Sequence, residues 1–179
     1  MKTQKTNYII KVGLLSAIAF ILQVIGSMMQ LKVAGFLEIE FSDFPAIIGS
    51  LSLGPVAGVI IELIKNVLHL SMTSTGFVGE FANFAVNGSF VLVIGIVYKL
   101  NKTKKGAIIS LILGSIVMPI AAAIINYFVM LPLYMESASH AVKFNLILTT
   151  ITPFNFVRAI VLSVITVFSY KRLSPILHK

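Results

Sequence analysis

Glu62, Lys65, Asn66 and His69 stand at positions i, i+3, i+4 and i+7 of a stretch that is otherwise apolar. That spacing places all four on one face of a helix. Glu80, Asn83 and Asn87 repeat the pattern at i, i+3 and i+7, and Asn155 and Arg158 stand at i and i+3. Asn126 is isolated in a long uncharged run. Amides carry both a donor and an acceptor, and arginine offers a fixed fork of donors, so this set can hold and orient the polar edge of a small molecule. Two other chemistries use some of the same residues. Glu62, Lys65 and His69 could act as acid and base on a lipid head group, or Glu62 and Lys65 could satisfy each other as a structural pair, as single Asn or His side chains do between helices.

The elements that must position these groups are set by composition. Of 179 residues, 58% are hydrophobic and only 11% are charged, against ~25% charged in a soluble domain. Such a chain lacks the polar groups to cover a water-exposed surface, so its solvent is lipid. At ~20 residues per crossing, nothing is left for a catalytic domain, a nucleotide-binding domain or a large ectodomain. The chain has no cysteine, which excludes disulfides, thiolate metal sites and thiol nucleophiles.

Uncharged runs and breakers divide the chain into helices at about 8–30, 44–53, 55–71, 79–98, 107–131 and 152–170. Leu53-Gly54-Pro55 separates the second from the third, because proline is favoured in the first turn of a new helix. Pro132 is expected to end the fifth near Leu131. The whole is one domain, an all-α integral membrane protein with six transmembrane helices. Lys2, Lys5, Lys11, Lys99, Lys102, Lys104, Lys105, Lys171, Arg172 and Lys179 fall in three segments that lie on one side in a six-span protein. These are ten of the fourteen basic residues, with none of the six acidic ones. The positive-inside rule then makes both termini cytoplasmic, and the net charge of +8 reports orientation, with no nucleic-acid partner.

This topology gives the polar groups a depth. His69 falls near the outer end of the third helix, and Glu80 and Asn83 in the outer turns of the fourth. Asn126 lies about 8 Å below the outer end of the fifth at the ~1.5 Å rise per residue of a helix, and Asn155 in the first turns of the sixth. Asn66, His69, Asn83, Asn126, Asn155 and Arg158 therefore converge at one level, as a single outward-facing pocket requires. The extracellular stretch 31–43 alternates apolar and acidic residues and is a candidate strand or lid over that pocket. There is no Gly-x-x-x-x-Gly-Lys-[Ser/Thr], His-Glu-x-x-His or Gly-x-Ser-x-Gly, so neither nucleotide hydrolysis by a P-loop nor zinc or serine hydrolase chemistry is supported, and no enzyme is expected.

The six short spans, the small-residue surface Gly13-x-x-x-Ala17, and Ser42-Asp43-Phe44-Pro45-Ala46 through Leu53-Gly54-Pro55-x-x-Gly58 resemble the substrate-binding S-components of energy-coupling factor (ECF) vitamin transporters. Lys65-Asn66-Val67-Leu68-His69, Gly79-Glu80-Phe81-Ala82-Asn83-Phe84 and Pro153-Phe154-Asn155-x-x-Arg158 are most similar to the riboflavin-specific branch. The resemblance implies a multi-pass receptor in the cell membrane that binds riboflavin as transported ligand, with no cofactor, and works with a transmembrane coupling subunit and two cytoplasmic ATPases. It also implies ligand contacts at Asn83, Asn126, Asn155 and Arg158, with Phe36, Val78 and Phe81 as neighbours, and docking to the coupling subunit through Gly13 and Ala17. Asn66, His69 and Glu80 join the candidate site through their shared face and depth.

Two positions depart from the family pattern: Gly13 stands where alanine is usual, and Arg158 where lysine is expected. Arginine changes the hydrogen-bond geometry offered to a ligand. Riboflavin itself fits the residue types, since amides match a pyrimidine-dione edge and a polyol, and apolar walls match a flat ring system. The rival readings are an S-component for another vitamin, such as thiamine, biotin, pantothenate or folate, and a self-sufficient small permease or channel.

Overall fold

The computed structural model describes residues 2–29, 32–33, 37–38, 40–73 and 76–177. Helix α1 (Lys2–Met29) is followed by a minimal antiparallel hairpin, β1 (Lys32–Val33) with β2 (Leu37–Glu38), in which Lys32 faces Glu38 and Val33 faces Leu37. Then come α2 (Phe44–Leu53), α3 (Pro55–His69) with a 3-10 turn at Leu70–Met72, α4 (Val78–Leu100), and α5 (Lys104–Ile125) with α6 (Leu131–Tyr134). The last are α7 (His140–Leu146) and α8 (Thr152–Leu177). Among the described residues five helical stretches are long and apolar enough to cross a membrane: Gln4–Met29, Pro55–Met72, Val78–Leu100, Lys104–Tyr134 and His140–Ser169. Helix α2, with ten residues, is shorter.

The expected break between α2 and α3 falls at Gly54, whose φ of 104° is open to glycine and strained for other residues, and Pro55 opens α3. Other boundaries differ from the sequence reading. Helix α1 begins well before residue 8, because nothing in 2–7 breaks it. Thr103 caps α5 by accepting from the Gly106 amide at 3.1 Å, so that helix starts at Lys104 and not near 107. The largest correction concerns proline. The fifth span runs through Pro132 and ends at Tyr134, within a turn of the expected end, and the last span begins at His140, not near 152.

A π turn at Asn126–Met130 precedes Pro132, and a second at Ile147–Ile151 precedes Pro153. A proline inside a helix removes one amide donor and crowds the carbonyl four residues back, here at Phe128 and at Thr149. Widening that turn accommodates the ring and lets the helix continue. Each proline thus becomes a local irregularity in a continuous rod.

Helix α4 packs on α3 and α5, α5 on α8, and α1 on α2 and α3. Ile47, Ile61, Phe90, Ile94, Met118 and Leu162 are fully buried between them, whereas Ile9, Leu14, Ile112, Phe128 and Phe168 are exposed on the outer surface. Lipid tails are as apolar as these side chains, so association rests on close packing and interhelical hydrogen bonds. Ser50 Oγ donates to the Val91 carbonyl at 2.6 Å, and the Ser115 and Ser163 hydroxyls meet at 3.0 Å. Beside the first of these, Gly95 lets α4 touch the start of α3. A Cβ there would lie 2.6 Å from Pro55 Cα and would also strike Ser50 Oγ. Gly95→Ala is therefore expected to cost about 1–3 kcal/mol, lowering the Tm in detergent by several degrees. Gly13→Ala, whose added Cβ meets nothing within 4 Å, is the matched control and should leave the Tm unchanged.

Candidate functional site

The ends of α1, α3 and α6 and the beginnings of α4 and α8 meet at one end of the bundle and enclose a cavity of about 520 Å³. The basic segment around Lys102–Lys105 lies at the opposite end, since α4 runs from the cavity to Leu100 and α5 runs back from Lys104. The volume falls within the ~300–1,000 Å³ of small-molecule sites. Apolar walls come from Val24, Met28, Leu37, Met72, Val86 and Met130, with the ring of Phe154 beside them.

Six of the expected site residues share this cavity: His69, Glu80, Asn83, Asn126, Asn155 and Arg158. Of the other four, three lie outside its lining, and the fourth falls outside the described residues. Asn66 is buried one turn deeper on α3, donating from Nδ2 to the Glu62 carbonyl at 2.9 Å. Val78 is only half-buried and outside the lining, and Phe81 is 49% exposed on the outer face of α4. Phe36 lies outside the described residues, as does much of the 31–43 segment. Shared helical spacing could not separate these cases: Phe81 lies next to Glu80 in sequence yet points away from the cavity, while Asn66 shares a face with His69 at a different depth.

The two π turns place the asparagines. Asn126 opens the first, and Asn155 follows the second by about one turn. Each side chain donates from Nδ2 to the carbonyl four residues back, Ala122 and Ile151, at 2.8 Å. Their amide orientation is thereby set, and Oδ1 is the atom each has available for a ligand. On α4, Asn87 Nδ2 donates to Asn83 Oδ1 at 3.0 Å, and Asn83 Nδ2 donates to Glu40 Oε1 at 3.1 Å. His69 Nδ1 lies 3.0 Å from Glu80 Oε1, and Thr73 donates to Glu80 Oε2 at 2.9 Å.

Arg158 does not stand free. Its Nη2 donates to Glu40 Oε1 at 3.0 Å and to Asp43 Oδ2 at 2.6 Å. Asp43 also accepts from Lys65 Nζ at 2.7 Å, and Lys65 contacts Glu62 at 2.6 Å and Ser42 at 3.2 Å. The ammonium thus donates hydrogen bonds to Asp43 and Ser42 and is ion-paired with Glu62. Glu62 and Lys65 form a structural pair, as one sequence reading allowed, but Asp43 extends it into a network that ends at the cavity. That arrangement removes Lys65 from any role at a lipid head group: it is fully buried.

Several cavity residues escaped the sequence reading. Gln23 is an amide in the middle of the first span, a signal weaker than the denser polar pattern on α3 and α4. Glu40 lay in an acidic loop whose contacts no periodicity could reveal. Among the described residues, Gln23 Oε1, Glu40 Oε2 and Asn87 Oδ1 are buried acceptors without a hydrogen-bond partner, and Arg158 Nε is a donor in the same condition. The polar part of the site is accordingly rich in acceptors, the complement of a ligand rich in hydroxyl or N–H donors.

Helices of membrane-crossing length around one ligand-sized, mostly apolar cavity define a multi-pass membrane protein built to bind a small molecule. The family described as "ECF transporter, substrate-specific component" matches residues 7–170, and the chain belongs to it. It is 36% identical to the riboflavin transporter RibU of Staphylococcus aureus (strain TCH60), over all of this chain and 96% of that one. It is 34% identical to the riboflavin transporter FmnP of Bacillus subtilis (strain 168), covering 96% of this chain and 94% of the relative. A solved structure, described as the S component of a bacterial ECF transporter, superposes with a TM-score of 0.82 at 36% identity, covering 98% of this chain and 99% of the other.

Proposed function

We propose that this chain is the riboflavin-binding subunit of an ECF transporter, taking up the vitamin from outside the cell. The observation that carries this is the cavity: its size, its apolar wall with the rings of Phe154 and Tyr134, and its surplus of acceptors at Gln23, Glu40, Asn87, Asn126 and Asn155. Riboflavin has a flat ring for the wall, and its ring imide and ribityl hydroxyls supply the donors. Membership of the substrate-specific family and the two riboflavin-transporting relatives support the same ligand.

The protein works in the cell membrane with six crossings, α2 included, and both termini cytoplasmic. The charge distribution supports this orientation, which places the cavity at the outer face and the Lys99–Lys105 segment inside. Riboflavin is cargo here, and no cofactor takes part. Movement of the ligand across the membrane is powered by two cytoplasmic ATPases acting through a transmembrane coupling subunit. The chain itself has no P-loop.

The direct test is to purify the protein in detergent and titrate riboflavin by quenching of its fluorescence. Saturable quenching and a yellow preparation are expected. Arg158→Ala removes a donor fork at the cavity wall and should weaken binding about ten-fold or more. Unchanged affinity would take Arg158 out of the site. Riboflavin uptake by vesicles holding this chain and no ATPase would instead establish a self-sufficient permease.

A further inference from the structure

Glu40 is a residue of the cavity wall that neither the helix pattern nor the family likeness singled out, and it bonds two that were, Asn83 and Arg158. Its side chain is 4% exposed. Its backbone is pressed against α1: a Cβ on Gly26 would fall 2.7 Å from Glu40 Cβ. From that seat Oε1 receives Asn83 Nδ2 at 3.1 Å and Arg158 Nη2 at 3.0 Å, while Oε2 has no partner among the described residues. The carboxylate therefore faces Arg158, the one permanent cation of the cavity wall among the described residues, and an amide of α4.

The charges around it are countable. Glu40, Glu80, Arg158 and, when protonated, His69 line the cavity; Asp43, Lys65 and Glu62 stand behind Arg158. Lys65 is held by Asp43 and Glu62, and the positive charge of Arg158 is answered by Asp43 from behind and by Glu40 from the cavity side. A ligand entering the cavity thus meets a guanidinium whose charge is already balanced.

We propose that Glu40 sets the charge specificity of this cavity: its carboxylate helps neutralise Arg158 and orients Asn83, configuring the site for an uncharged ligand, and its loss shifts the site's preference toward an anion. This rests on the riboflavin reading and deepens it, because it explains how a cavity containing arginine holds a neutral vitamin. Glu40 acts here through Arg158 and Asn83, as a positioning residue.

The experiment compares riboflavin with flavin mononucleotide, an anionic probe that carries the same ring. Affinities of wild type, Glu40→Gln, Glu40→Ala and Glu40→Asp are measured by fluorescence quenching at low and high salt. In Glu40→Gln, the ratio of the mononucleotide Kd to the riboflavin Kd should fall about ten-fold at low salt, as expected for one unit charge several ångströms away at intermediate dielectric. The shift should shrink at high salt. Glu40→Ala should move the ratio the same way, which covers a poorly folding glutamine variant, and Glu40→Asp should keep it near wild type. A ratio unmoved in both neutral variants, with both flavins weakened equally, overturns the proposal and leaves Glu40 a packing residue. Wild-type protein that binds neither flavin overturns the riboflavin reading and this proposal with it. Wild-type binding with an unmoved ratio overturns the Glu40 assignment alone.

Discussion

Lys65→Met is expected to destabilise the protein by about 3–5 kcal/mol, the cost of leaving a buried charge without its partner. Methionine nearly conserves the volume, so packing contributes little to this figure. The charge is the issue. Glu62 is fully buried, and among the described residues its ion-pair partner is Lys65. Removing the ammonium leaves Glu62, Asp43 and Glu40 facing a single cation, Arg158. Thermal unfolding in detergent should show a large fall in Tm. Glu62→Gln combined with Lys65→Met should recover part of the loss, because the stranded carboxylate is gone, and the two substitutions should be strongly non-additive. Additive effects would mean that the pair is not energetically coupled. The same network ends at Arg158, so Lys65→Met that still folds should also weaken riboflavin binding.

Leucine at Gly13 and Ala17 together is expected to abolish riboflavin uptake by cells while leaving the affinity of the purified protein unchanged. Both residues are exposed on α1, and a Cβ on Gly13 meets only open space. The fold has therefore not used this small-residue stripe for its own packing, the ordinary role of such a pattern within a membrane protein. It is left as a smooth surface on which a second helix can approach closely, flanked by exposed Ile10, Leu14, Ile18 and Ile21. Two leucines would hold that helix off. The cavity should be undisturbed, since α1 reaches it through Gln23, Val24, Ser27 and Met28, further along the helix. Uptake measured with radiolabelled riboflavin in cells carrying the coupling subunit and ATPases, alongside quenching titrations, separates the two functions. Normal uptake would move the docking surface elsewhere.

Both results depend on relations that the sequence discloses unequally. Hydropathy, the break at Gly54-Pro55 and the polar faces of α3 and α4 are local properties, and each was readable from a window of one or two turns. Lys65 with Glu62 was readable for the same reason, as an i, i+3 pair. Asp43 and Arg158, which complete that network, are 115 residues apart, and Glu40 and Arg158 are 118 apart. No periodicity relates residues at such distances. The prolines misled in the opposite direction: Pro132 reads as a stop because an isolated helix does stop there, whereas packing of α5 against α4 and α8 makes a π turn the better solution.

By itself the sequence determined that this chain lives in lipid as a set of apolar helices, with amides, a histidine and an arginine gathered near one level, and that it contains no P-loop motif. These follow from composition and from the helical repeat, which every residue obeys wherever its helix finally packs. The tertiary structure decided which polar groups face one another: that Gln23 and Glu40 belong to the cavity and Phe81 and Asn66 do not, that Arg158 is shared between two carboxylates, and that Gly13 and Ala17 remain uncovered. Those outcomes depend on the rotation and depth at which each helix meets its neighbours. In lipid these are set by close contacts such as Gly95 on Pro55 and Gly26 on Glu40, made between residues far apart in the chain.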